Sequence, residues 1–153
     1  MSVRNLRVLT WNVQGLSNKL DIVESVINEN EVDVVAITEH WLQKDEISYY
    51  CLNGYDTSSN YSRSSRKCGG SMILVKNNIK HRPLYKVNEK SIEMVCEVSA
   101  SLLSELNTII LAIYVSNGTQ SNFELFLDRL GSILEYVGSY KANIILCGDF
   151  NVD

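Results

Sequence analysis

The chain has 153 residues, 45% hydrophobic and 21% charged, with a single proline and a formal net charge of −4. That length suits one domain able to bury a sizeable core. No apolar run is long enough to span a bilayer, and the first residues, MSVRNLRVLTWN, lack the apolar core of a signal peptide, so the expectation is a soluble intracellular protein of nucleus or cytoplasm that is not secreted. A negative balance gives no global attraction to a polyanion, so any contact with nucleic acid must be local or assisted by a cation. Cys51, Cys68, Cys96 and Cys147 are widely spaced with no C-x-x-C pair, which argues against a zinc site or a disulfide framework.

In chain order, residues 6–13, LRVLTWNV, are apolar and β-branched enough for a buried strand, and Gly15 breaks it. Leu20, Val23, Val26 and Ile27 recur at helical spacing, with Ser17 or Asn18 available as a cap. VDVVAIT, residues 32–38, is an unbroken apolar run of strand length. Strand, helix and buried strand make a βαβ unit, whose strands should be parallel neighbours. Residues 46–52 suggest a short helix. Residues 58–70, SSNYSRSSRKCGG, read as an exposed loop carrying Arg63, Arg66 and Lys67 without an acidic residue. Strands follow at 71–76, 92–100 and 108–114. Residues 80–87 could add an edge strand, because Pro83 opposes a central position. Ser121 and Glu124 have capping-box spacing, and Phe123, Phe126, Leu127, Leu130, Ile133, Leu134 and Val137 form an apolar stripe. Residues 143–147 close the series as a strand. The pattern is mixed α/β.

Four polar clusters stand where apolar strands end: Asn12 in TWNVQGL, Glu39 in AITEHWL, Tyr114 and Asn117 in AIYVSNG, and Asp149 with Asn151 in LCGDFNV. Ligand sites of α/β proteins gather at the carboxyl ends of strands. Oxygen-bearing and amide side chains there suit a hard cation together with a phosphate. Taken singly, each has a structural explanation: a turn residue at Asn12 or Asp149, a solvated strand end at Glu39, a half-buried aromatic at Tyr114. Four of them, each at a strand exit, favour a site. His40 is expected to pack against Trp41 or cap a turn rather than bind metal, and His81 to lie on the surface.

TWNVQGL, AITEHWL, GGSMILVK, IYVSNG and GDFNVD occur in the order found in the endonuclease/exonuclease/phosphatase family, and the chain resembles that family over its whole length. The wording is most similar to the endonuclease domain of non-LTR (LINE-type) retrotransposons. The resemblance implies a DNase I-like sandwich of mixed β-sheets flanked by helices, spanning residues 1–153 as an N-terminal portion. It implies Mg²⁺-dependent phosphodiester hydrolysis of DNA, with Mn²⁺ as an alternative ion and the reverse transcriptase region of the same polyprotein as a partner. Glu39 and Asn12 would flank the metal. Asp149 would orient or deprotonate the attacking water, Asn151 and Asn117 would bind the phosphate, and Tyr114 would contact it. Arg63, Arg66 and Lys67 would make salt-sensitive contacts to the DNA backbone; the same loop also reads as a solvated connection.

Two departures from the family pattern stand out. Gln14 occupies a position where repair enzymes of the family carry an Asp, and Ser116 replaces a Pro before Asn117. No S-D-H sequence occurs in the 153 residues, so the Asp–His pair the resemblance implies is not among them. The expectation is therefore one nearly complete sheet plus the opening strand or so of a second, an exposed apolar inner face, and impaired activity. A catalytically dead remnant, or a phosphatase of the same fold acting on a small phosphoester, are the competing readings.

Overall fold

A computed structural model describes residues 5–151. Strand β1 (Val8–Asn12) leads through helix α1 (Leu20–Glu29) into strand β2 (Val34–Thr38). β1 and β2 pair in parallel, from Val8 opposite Val34 to Asn12 opposite Thr38, as the apolar runs require. Strands β3 (Tyr55–Tyr61) and β4 (Ser71–Lys76) complete a four-stranded sheet in the order β1-β2-β4-β3. β4 is antiparallel to both its neighbours.

The second sheet is larger than the sequence suggests. It also has four strands: β5 (His81–Pro83), β6 (Cys96–Leu103), β7 (Thr108–Val115) and β8 (Asn143–Asp149), in that order. β7, helix α3 (Gln120–Gly138) and β8 form a second βαβ unit with parallel strands. Antiparallel pairing of β5 to β6 and β6 to β7 builds the rest of the sheet. The two sheets stack face to face through Val34, Ala36, Ile73 and Val75 on one side and Leu103, Ile110 and Ala112 on the other. α1 covers the outer face of the first sheet through Val23 and Ile27, and α3 covers that of the second through Phe126, Ile133 and Val137. The fold is thus an α/β sandwich, with two mixed sheets inside and helices outside, as the resemblance implies.

Several sequence expectations shift. Residues 58–61 belong to β3, so the 58–70 loop begins at Ser62. That loop is pinned: Glu93 accepts hydrogen bonds from the Ser64 N–H at 3.2 Å and the Ser65 N–H at 3.1 Å, and from both hydroxyls. The Ser65 hydroxyl leads in holding the Glu93 carboxyl down near a pKa of about 2. The 46–52 helix is a single 3₁₀ turn, Ile47–Tyr49. The 80–87 edge strand is only β5, followed by a short helix α2 (Tyr85–Asn88). The helix cap is Thr119 rather than Ser121: Thr119 has the extended backbone a cap needs, and its hydroxyl accepts from the Asn122 N–H at 3.3 Å. His81 is held between strands rather than free on the surface, 2.9 Å from the Ser58 hydroxyl and 3.4 Å from Asp56.

Apolar exposure also lies elsewhere than expected. On β8 the inward-facing Ile145 and Cys147 pack against the stacked sheets. The outward Ile144 and Leu146 are exposed, as are Phe123, Leu127 and Leu134 along α3. The bare apolar surface is therefore on the outer flank beside edge strand β8.

Candidate active site

Both parallel pairs run in register to their carboxyl ends, so Asn12 ends beside Thr38 and Tyr114 beside Asp149. Strand β8 lies against β1 and β2 across the stacked sheets. This placement joins residues far apart in sequence. The Asn12 Nδ2 group donates to Glu39 Oε1 at 3.1 Å and to Asp149 Oδ2 at 2.6 Å. Two carboxylates can only accept, so they fix which end of the Asn12 amide faces them. The Asn12 oxygen turns away and accepts from the Gln14 N–H at 3.3 Å. Asn12 is therefore a clasp between two carboxylates.

The second Glu39 oxygen accepts from the Trp41 indole at 3.0 Å. Trp41 in turn lies against Gly15, whose φ of +97° and close approach to the ring suit only glycine. Tyr114 also hydrogen-bonds Glu39; burial first, and then the Glu39 charge, push its phenol up to about 12. Tyr114 thus keeps its proton at neutral pH and serves as a donor. Asn151 closes the cluster from below. Its N–H reaches Asp149 Oδ1 at 3.3 Å, and its amide donates to the Val115 carbonyl at 2.8 Å. Glu39, Trp41, Gln14 and Asn151 all have positive φ, between 43° and 60°. Backbone held in this region by surrounding structure is concentrated at functional sites.

A buried ion pair supports the cluster. Arg63 Nε lies 2.5 Å from Glu97 Oε1, with Glu97 completely buried. The other Glu97 oxygen accepts from the Gly70 N–H at 2.5 Å, and the Gly70 carbonyl accepts from the Glu39 N–H at 2.9 Å. Arg63 also donates to the Ser116 hydroxyl at 2.9 Å and sits 5.9 Å from the Tyr114 ring centre. One pair therefore braces both Glu39 and Tyr114. This corrects the expectation of an exposed Arg63 on the DNA backbone, because a loop that turns back under β4 carries its guanidinium inward. Lys67 is exposed but engaged with Glu46 at 2.7 Å, and Arg66 is exposed. Asn117 is exposed in the loop after β7.

His40, next to Glu39, is buried. Its Nδ1 accepts from the Leu42 N–H at 2.9 Å, which leaves Nε2 to donate to the Tyr61 carbonyl at 2.8 Å. Burial leads in lowering its pKa to about 4, so it is a neutral turn cap, as its position suggests. The bracing role of Arg63 and Glu97 was not visible in the sequence; a lone Glu inside the apolar run MVCEVSA was the available signal.

Residues 9–153 match the profile of the Endonuclease/Exonuclease/phosphatase family. The chain belongs to that family. It is 29% identical over 147 residues to a protein described as a probable RNA-directed DNA polymerase from transposon X-element of Drosophila melanogaster, covering 95% of the chain but 15% of that protein. It is 24% identical over 148 residues to the RNA-directed DNA polymerase from mobile element jockey of the same fly, covering 93% and 15%. The chain thus spans a small part of the length of these curated relatives. Among solved structures, an AP endonuclease from Archaeoglobus fulgidus superposes with a TM-score of 0.70 at 18% identity, covering 97% of this chain and 58% of that one. A 3′-5′ exonuclease from Neisseria meningitidis gives 0.65 at 20%, covering 95% and 57%. These structural likenesses speak to the fold.

The donor set suits a hard divalent cation. Glu39 and Asp149 offer oxygen, held close by one amide, without a soft ligand. Among the described residues no group of three His, Cys, Asp or Glu side chains gathers. Mg²⁺ fits this sparseness, since it keeps several waters and is commonly held by one or two carboxylates plus substrate phosphate.

Proposed function

We propose that this chain carries the strand-exit part of a Mg²⁺-dependent DNA endonuclease site of the retrotransposon type, which cuts phosphodiester bonds by water attack. The observation that carries the reading is the Asn12 amide held between Glu39 and Asp149, with the Tyr114 phenol on Glu39. Family membership and the transposon relatives support the substrate class, and one Neisseria structure of this fold is described as bound to a product DNA hairpin. The same relatives support a reverse transcriptase region of one polyprotein as the partner of this chain.

Glu39 would hold the cation, with Mn²⁺ as a substitute, and the cation, when bound, would supply neutralisation of charge developing on the phosphoryl oxygens. Asn12 holds the two carboxylates together and aimed, so that Asp149 orients the attacking water and accepts its proton. Tyr114, protonated and braced by Arg63, donates to a phosphoryl oxygen, which is worth most where charge grows in the transition state. Asn151 and Asn117 complete the phosphate cradle. Arg66 and Lys67, on the pinned loop, reach for flanking DNA phosphates, the latter by exchanging Glu46 for a phosphate.

The test is nicking of supercoiled plasmid in Mg²⁺ by this chain and by a form extended beyond Asp153 to include the Asp–His pair the resemblance implies. The extended form is expected to nick, and Glu39→Ala or Asp149→Asn to slow it at least about 100-fold. A folded extended form that leaves the plasmid intact sinks the DNA reading. Nicking that survives Glu39→Ala places the site elsewhere.

A further inference from the structure

Away from the strand exits, the outer face of the second sheet carries a run of cations with no acidic partner. Arg7, Arg63, Lys67, Lys76 and Lys80 each lie within ion-pair reach of a carboxylate. Among the described residues Lys19, Lys44, Arg66, Arg82, Lys86, Lys90, Arg129 and Lys141 show none, and four of these, Arg82, Lys86, Lys90 and Arg129, stand close together. These four share one seam, where β5 and α2 run beside α3. Lys90 donates to the Ser132 hydroxyl on α3 at 2.6 Å. The Arg82 guanidinium stands 5.8 Å from the Tyr140 ring centre. Arg129, Ser132 and Tyr136 fall on one half-buried stripe of α3, because residues three and four apart share a helix face, and Tyr140 stands in the turn just beyond the helix end. The Arg129 Nε is buried without a hydrogen-bond partner.

Aromatic rings interleave with these charges. Tyr136 and Tyr140 meet edge to face, 5.6 Å between ring centres, with hydroxyls 2.9 Å apart. The Tyr140 phenol is held below its ordinary value by the Tyr136 hydroxyl first, and then by Arg82 and Lys86. Tyr85, on α2 between the cations, is 68% exposed. The nearby acids, Glu89, Asp128 and Glu135, are exposed; Asp128 and Glu135 sit on the neighbouring flank of α3, one position off the stripe. Four such cations together, beside stackable rings, suit a ligand that offers a phosphate row and exposed bases.

We propose that the β5–α2–α3 seam is a second nucleic-acid surface, which holds a single strand by phosphate contacts from Arg82, Lys86 and Lys90 and by base stacking on Tyr85. It lies on the helix-covered face rather than at the strand exits, so it binds strand without cutting it. The proposal goes beyond the endonuclease reading and does not need it. A double helix fits less well, because paired bases present no face to Tyr85.

The experiment is anisotropy of a fluorescein-labelled oligothymidylate in EDTA, which leaves any metal-dependent chemistry silent. The wild-type chain is expected to bind with strong salt dependence. Arg82→Ser, Lys86→Ser and Lys90→Ser together should lower the salt slope by roughly 2, at about 0.7 for each phosphate no longer neutralised. Tyr85→Ala should weaken binding roughly tenfold with the slope unchanged. Circular dichroism checks folding, and the exposed single change Lys86→Glu gives the same reading should the triple variant unfold. Absence of oligothymidylate binding by the wild type overturns the proposal, as does a triple variant or Lys86→Glu that binds with unchanged affinity and slope. Equal affinity for heparin and for blunt duplex, with Tyr85→Ala indifferent, overturns it as well, by showing a generic polyanion patch. Plasmid nicking is read separately, so loss of the endonuclease reading leaves this test intact.

Discussion

β2 and β8 play the same part in two different settings. Each is the second strand of a βαβ unit, each is an apolar run, and each delivers a carboxylate, Glu39 or Asp149, to the Asn12 amide. Yet all five residues of β2 are buried, while β8 has exposed or half-exposed residues throughout. The difference is the neighbour. β2 lies between β1 and β4, with a helix layer on one face and the second sheet on the other. β8 is the edge of its sheet among the described residues, and its outward Ile144 and Leu146 stay exposed. Identical chemistry at the tip of each strand is thus mounted on one rigid and one weakly covered support. An edge strand exposes unpaired backbone as well as side chains, which makes β8 the natural place for pairing with further chain.

The largest test of this contrast is Gly148→Ala on β8. Gly148 has a φ of +139°, and an added Cβ would overlap the Ile113 carbonyl oxygen. β8 would have to leave β7, so a loss above about 4 kcal/mol in urea unfolding is expected. A near-neutral result would show that β8 is not docked in this register. Next is Glu97→Ala, which strands the buried Arg63 charge behind the exit of β2. The expected cost is about 3–5 kcal/mol, and Mn²⁺ affinity should fall with it, since Gly70 would release the Glu39 backbone. Retained affinity in a folded variant would detach the ion pair from the site.

The pH dependence sharpens the same side. The folded His40 takes up its proton near pH 4, the unfolded one near 6.5, so stability is full at neutral pH and falls as pH drops through that window. The loss approaches roughly 3 kcal/mol at its limit. His40→Gln should flatten the profile between pH 6.5 and 4; a wild-type profile already flat there would mean His40 is not buried. The last test compares the two strands directly, and its β8 arm carries the smallest effect. Ile37→Ala, fully buried in β2, should cost about 2–5 kcal/mol, and Leu146→Ala, 36% exposed in β8, less than about 1. Equal costs would erase the distinction.

Much of this was legible in the chain itself. The apolar runs of β1, β2, β4 and β7, the stripe of α3 and the parallel pairing of β1 with β2 follow from periodicity, because strands buried on both faces need continuous apolar residues and strands joined by a helix run parallel. The polar residues at the strand exits were legible for the same reason: a strand that ends in Asn, Glu or Asp places that group at a predictable edge. Short elements were not. Residues 58–61 read as loop because Ser and Asn disguise a strand, and Thr119 displaced Ser121 as a cap because capping depends on backbone conformation rather than on spacing alone.

What the sequence by itself determined, then, is the long apolar strands, the first βαβ unit and the residue types at the strand ends, all products of local pattern. Only the tertiary structure decided that Asn12 clasps Asp149 across 137 residues, that Arg63 turns inward to Glu97 rather than outward to solvent, and that the exposed apolar flank is the outer one beside β8. Each of those depends on how two sheets stack, and stacking is set by the summed burial of many side chains rather than by any short stretch of sequence.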